Sequence, residues 1–418
     1  MPDLKFYIPV SCPRLAYTCE VLLADFMGLE IVFLVDETLN GQYKLQVEDS
    51  GQTMVYDSAL FFNTHHRSSR IFDWPKLLST DYTFDTDWLG ACFYLLSRME
   101  EYDCVTQDHH GRFPWQVSVA YQYGFMQRPL VDDLAKRFAA KFWPHKSIKQ
   151  CGESVLPTLD IDMSHAYRGR PFWRLLPALC KAALKGDLAA RLRVLTGKVP
   201  DPYDNFAYQL ALFRKMGIKA HYFFQVGGYS KYDKNVPITH PLMRKLLKAI
   251  SLHHHIGLHP SYYHMEHPLK IQKERSALSK SIGRPIHSVR FHFLRFRIAE
   301  TFPKLTDQGF CEEHSMGYAE TIGFRASTCR PYNWFDLYNN KKTDLRLVPF
   351  CAMDVALQYY LKFDVPQAKD AIAQLQQTVK QYKGCFSFCF HNESLSEQAQ
   401  WIGWRSVFEF ALGKGGDN

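Results

Sequence analysis

The chain has 418 residues, 46% of them hydrophobic and 22% charged, and a net charge of +8. That length exceeds what one hydrophobic core normally serves, so two domains are expected; the mild charge suits acidic glycans or a membrane surface and calls for no nucleic acid. The 11 cysteines are scattered, odd in number and never spaced Cys-x-x-Cys, which argues against a disulfide framework or a structural zinc site and for reduced thiols in a bacterial cytoplasm.

In chain order, Met1-Pro2-Asp3-Leu4-Lys5 does not read as a signal peptide, and no run of about 18 apolar residues follows that could span a bilayer. Residues 1–150 read as a smaller α/β domain. Strands are expected at 6–10 and 31–35, with an amphipathic helix over 14–27 closed by Gly28. A second helix starts at the N-cap Asp87 and runs to Met99, and a last one, opened by Arg128-Pro129, ends near Phe142. Asp108, His109, His110 and Arg112 crowd one loop. Solvated faces and loop hydrogen bonds explain them more simply than a metal does, so no site is placed in this half. The polar stretch 144–154 reads as a linker.

The run 155–159 is apolar and ends in Asp160-Ile161-Asp162, as a buried parallel strand does when it delivers carboxylates to a sheet edge. Alternation puts Asp160 and Asp162 on one face, where they repel unless a metal ion or an arginine stands beside them. Capping of the next helix is the plainer alternative. Residues 166–204 form a basic, partly apolar insertion, with Arg170, Arg174, Lys181 and Lys185 among Trp173, Leu175, Leu176 and Leu179. It reads as a helical hairpin that covers the site or touches anionic lipid-linked glycans in a peripheral membrane contact, or more simply as a solvated helical face.

Beyond it, helices are expected at 207–215, 240–251, 268–282, 301–308 and 367–382. Strands are expected at 220–226, 256–258 and 289–293 and around Glu312, Ile322, Leu347 and Phe386. Such alternation means a parallel sheet or barrel with chemistry at the C-terminal strand ends. Three more strand ends carry ionisable groups: His259, the pair Arg290 and His292 on one face, and His391. With the two aspartates they suggest a metal-assisted hydrolase site.

The order Asp-x-Asp, Gly-x-His-Pro-Ser, Val-Arg-x-His and a last apolar strand ending in His resembles the polysaccharide deacetylase superfamily (carbohydrate esterase family 4). Within it the chain is most similar to a bacterial branch, found with surface-polysaccharide genes, that sets a domain of unknown function before the deacetylase-like one. The resemblance extends to residues 223–235, 323–326, 97–102, 111–113 and 128–129. It implies a distorted (β/α) barrel over residues 151–418, preceded by the domain of residues 1–150, and a carbohydrate substrate, such as a lipid-linked or acidic glycan. It implies Asp160 as the base that activates water, Asp162 and His259 as ligands of a divalent metal, usually zinc, Arg290 as the partner of the base, and His391 as the acid that protonates the leaving amine.

One motif departs from the family pattern. The second histidine motif is His-[Ser/Thr]-x-x-His in the family, but here Tyr263 stands four residues after His259, and His264 comes one later. The third protein ligand is therefore His292, His264 or absent. With it, the site suits catalytic zinc and removal of acetyl groups from an N- or O-acetylated sugar. Without it, the same cleft binds glycan and does not cleave it. A hydrolase of the same fold acting on a non-sugar amide is a third reading. Arg325 points to an acidic sugar or a structural ion pair, Asp354 to orientation of a catalytic group or a helix cap, and Cys385 and Cys389 to buried thiols on one strand face.

Overall fold

The computed structural model describes residues 3–63, 68–145, 149–152, 154–184, 186–267 and 269–413. Part of the expected linker, Lys185 of the basic insertion and the first residue of the helix expected at 268 lie outside them.

The first sheet has four strands, β1 (Leu4–Ile8), β2 (Ile31–Val35), β3 (Gln42–Val47) and β4 (Thr53–Asp57), in the order β2-β1-β3-β4. β1 and β2 are parallel, joined by a helix over Pro13–Cys19 that widens into a π-helical turn over Glu20–Phe26. Alternation buries Leu4, Phe6 and Ile8 on β1 and Tyr43, Leu45 and Val47 on β3. The β3–β4 hairpin was not among the expected elements. Asp87 caps the helix Trp88–Leu96 as expected, accepting the Gly90 amide at 2.9 Å. That helix stops short of Met99, because Arg98 adopts a left-handed φ of 54°.

The second sheet has nine strands: β5 (Val155–Ile161), β6 (His221–Gln225), β7 (His255–His259), β8 (Ser288–Val289), β9 (Glu312–Glu313), β10 (Tyr332–Asp336), β11 (Lys341–Leu347), β12 (Ala352–Met353) and β13 (Phe386–His391). Their order is β10-β11-β9-β8-β7-β6-β5-β13-β12, parallel except for the β10–β11 pair. Helices Phe206–Met216, Pro241–Ser251, Leu269–Ile282, Ile298–Asp307 and Val365–Gln381 alternate with the strands near the expected positions. The insertion folds as two helices, Phe172–Leu184 and Leu188–Leu195.

A closed barrel is not what the strand pairing describes: no ladder among the described residues joins β10 to β12. The last strand on one edge is two residues long, and the strand on the other runs antiparallel to its neighbour. The sheet is nonetheless strongly curled. Arg290, just past β8, reaches Thr158 and Asp160 on β5, although three strand spacings, about 14 Å along the sheet, separate the two strands. No strand forms at Ile322, and of the strand expected at 289–293 only Val289 pairs in the sheet, the chain turning over His292–Leu294, where Phe293 and Leu294 take positive φ.

One apolar core is continuous across both sheets, with Tyr17 and Phe93 of the first half packed on Phe335 of β10. Inside the curl the backbone of β7 passes close to a ring. A Cβ on Gly257 would collide with Phe223 and stand 3.1 Å from the Ser288 carbonyl. Gly257→Ala is expected to cost about 1–3 kcal/mol of stability in denaturant unfolding, the usual penalty of overpacking.

Candidate metal centre and active site

Parallel strands set side by side present every second residue to the concave face, so the tips of β5, β7 and β13 deliver Asp160, His259 and His391 to one place. Asp162 follows β5 directly. It is held there because Asn235, in the loop after β6, donates to the Ile161 and Gln225 carbonyls at 2.8 Å each and accepts the Ser164 amide at 2.9 Å. His292 arrives from the irregular turn after β8.

The Asp162 carboxylate lies between two imidazoles, with Oδ1 3.1 Å from His259 Nε2 and Oδ2 3.2 Å from His292 Nε2. The tautomers follow from the other ring nitrogens. His259 Nδ1 donates to the Arg290 carbonyl at 2.7 Å, and His292 Nδ1 lies 3.2 Å from Asp233 Oδ1, so in neutral rings both Nε2 atoms are lone pairs. His259 Nε2 and Asp162 Oδ1 are buried and, although close, not aligned as a hydrogen bond; neither has a partner. Lone pairs converging in this way repel unless a cation lies between them. An Asp/His/His set with each histidine braced from behind fits zinc or a similar divalent ion. In the metal-free protein a proton takes the place of that cation: against the burial that would lower it, Asp162 and Asp233 raise His292 to about 9, and the charged ring, with His259, holds the Asp162 carboxyl well below its usual range despite its burial.

His264 is not part of this group. Its Nδ1 lies 3.1 Å from the Ser261 carbonyl, and its ring stacks on Phe291, so of the two open candidates it is His292 that stands beside Asp162.

Asp160, 3% exposed, receives Arg290 at 3.3 Å and the Cys389 thiol at 3.4 Å. Arg290 is fully buried between the rings of Phe223 and Phe350 and also donates to Thr158 Oγ1 at 2.6 Å and to the His314 carbonyl at 2.9 Å. His391 Nε2 lies 3.8 Å from Asp162 Oδ2, while its Nδ1 lies 2.8 Å from Asp354 Oδ1 and its amide donates to Asp354 Oδ2 at 2.6 Å. Burial would lower the His391 imidazole, but Asp354, with Asp162 and Asp160 nearby, more than offsets it and holds the group well above its usual value.

All six site candidates thus lie together, five of them lining a cavity of about 210 Å³ and Arg290 behind it. Three lining or bracing groups had not been singled out. Asp233 lay in a stretch noted only for its resemblance. Glu393, whose carboxyl burial pushes up to about 6, follows the expected strand end by two residues. Arg112 lines the cavity from the half in which no site was placed; it is fixed by Asp108 at 2.6 Å, Glu320 at 2.7 Å and the Phe293 carbonyl at 3.0 Å. Arg325 is a structural ion-pair residue, bound in bidentate fashion to buried Glu101. Asp354 both braces His391 and accepts the Val355 amide at 2.7 Å. Cys385 and Cys389 are buried thiols outside any disulfide.

Among the described residues, no helix is long and apolar enough to cross a membrane. The model of a family of unknown function, DUF7033, matches residues 4–144. No curated protein matches the chain in sequence. Among solved structures, a Mycobacterium smegmatis protein described as a polysaccharide deacetylase aligns at 13% identity over 63% of this chain and 86% of its own, with a TM-score of 0.39. A polysaccharide deacetylase from Bacillus cereus aligns at 13% over the same shares with a TM-score of 0.32. An allantoinase aligns at 12% over 65% of this chain and 86% of its own with a TM-score of 0.38. These likenesses are distant.

Proposed function

We propose that the chain is a divalent-metal-dependent hydrolase that removes acetyl groups from an N- or O-acetylated sugar. The observation that carries this reading is the convergence of three lone-pair donors, on Asp162, His259 and His292, beside a buried carboxylate and a histidine held protonated. Those three residues would hold the ion, which when bound supplies Lewis-acid polarisation of the acetyl carbonyl and lowers the pKa of water. The choice of sugar rests on the motif resemblance, and exposed Tyr360 and half-buried Phe293 at the cavity wall offer rings on which a sugar can stack.

The residues divide the proton work. Asp160, oriented by Arg290, takes a proton from the attacking water. The water oxygen bonds to the acetyl carbon, the bond from that carbon to the sugar nitrogen or oxygen breaks, and His391 gives its Nε2 proton to the leaving atom. Acetate and a free amine or hydroxyl result. Asp354 keeps His391 charged for the second transfer, so Asp354→Asn is expected to move the alkaline limb of the kcat profile down by about 1–3 pH units. The sign follows from the charge: loss of an anion lowers the imidazole pKa, and the acid is then deprotonated at lower pH.

The direct test is acetate release from N-acetylglucosamine oligomers and O-acetylated glycans, lost on chelation and restored by zinc. Stoichiometric metal and intact glycan binding with no acetate released from either substrate class would replace this reading with the non-catalytic one.

A further inference from the structure

A second cluster of ligating side chains lies at the other end of the same strands. Counting back from the site along the concave face, the layer of Phe223, Gly257 and Arg290 is followed by His221 and His255, the first residues of β6 and β7, with Ser288 and Glu312 opening β8 and β9. His314, just past β9, turns into the same space and packs on Phe223. One donor atom each of His221, Glu312 and His314 lies within 4.8 Å of the others.

Two of these groups are incompletely used by the protein. His314 is 1% exposed and has an unpartnered Nδ1, and His221 has a buried Nδ1 with no partner. The His314 ring contributes one contact inside the cluster, with Nε2 3.4 Å from Glu312 Oε2. Glu312 is braced from outside by the Ser288 hydroxyl at 2.9 Å, as ligating carboxylates commonly are. Glu312 is 35% exposed, and the exposed ring of His255 stands 4.5 Å from that of His221, so solvent ions reach the cluster from this mouth.

We infer that His221, Glu312 and His314 form a second divalent transition-metal site, of the zinc class, at the N-terminal mouth of the curled sheet. Two imidazoles and one carboxylate are a donor set for zinc, cobalt or nickel and a poor one for calcium or magnesium. The ligands come from β6 and from β9 with the turn after it, strands separated by two others, so the ion cross-links the curl where hydrogen bonds between neighbouring strands cannot. Its role is structural, and it does not depend on the catalytic reading.

The test uses the full chain, stripped with chelator and titrated with zinc, with bound metal counted by elemental analysis and unfolding followed by circular dichroism. Wild type is expected to bind two equivalents, Asp162→Asn/His292→Asn one, and His221→Asn/Glu312→Gln one. In the Asp162→Asn/His292→Asn protein zinc is expected to raise Tm, and that rise is expected to vanish when the His221 and Glu312 changes are added. If the His221→Asn/Glu312→Gln protein does not fold, the Asp162→Asn/His292→Asn protein decides alone. One retained equivalent supports the second site, and none at micromolar zinc overturns it. Two equivalents retained by folded His221→Asn/Glu312→Gln would also overturn it. Absence of acetate release would count against the catalytic proposal and leave this count unchanged.

Discussion

Asp160→Asn is expected to lower kcat for acetate release by about 10²–10⁴-fold while leaving the metal content of the protein unchanged. The carboxylate is the proposed proton acceptor, and an amide of the same shape cannot take the proton. The change is well posed because the surroundings hold their positions without the charge. Arg290 remains anchored by Thr158 Oγ1 and the His314 carbonyl and clamped between Phe223 and Phe350. The Asp162 pair with His259 and His292 is untouched. Asp162→Asn makes the contrast: it removes one of the proposed ligands, and both bound metal and activity are expected to be lost. Equal loss of metal in the two variants, or normal kcat in Asp160→Asn, would remove Asp160 from the role of base.

The parts of the site that could be read in advance are those carried by regular strands. Alternation alone places Asp160 and Asp162 together, and apolar runs ending in His259 and His391 declare where those residues emerge. What could not be read depends on how loops fold back. Asp233 braces His292 from the loop after β6, 59 residues earlier in the chain, and no local pattern marks that contact. The shared face of Arg290 and His292 was expected from a strand, yet the strand ends at Val289, and a turn with positive φ at Phe293 and Leu294 follows. Arg112 reaches the cavity because one core runs through both halves, a property of packing that periodicity does not encode. The alternation of helices and strands predicted a parallel sheet correctly. It could not distinguish a closed barrel from an open curl, since closure is decided at the short edge strand β12 and at β10, which runs antiparallel to β11.

The junction between the halves yields the second large effect. Glu101, in the first half, is buried and accepts Arg325 at 2.9 and 2.6 Å and Arg98 at 2.8 Å. Burial would raise its carboxyl, but Arg325 and Arg98 together hold it below its usual range. Arg325→Met is expected to destabilise the protein by about 3–5 kcal/mol, the cost of leaving a desolvated charge with part of its compensation gone. The lower end applies because Arg98 remains. The double variant Arg325→Met/Glu101→Met leaves Arg98 paired only with Glu100, 2.7 Å away, and is expected to recover less than the whole loss. A double-mutant cycle by denaturant unfolding measures the coupling directly. Coupling below about 0.5 kcal/mol would show that the pair is incidental to the junction. A large coupling together with a single unfolding transition is the result expected of two halves that share both an ion-pair network and a core.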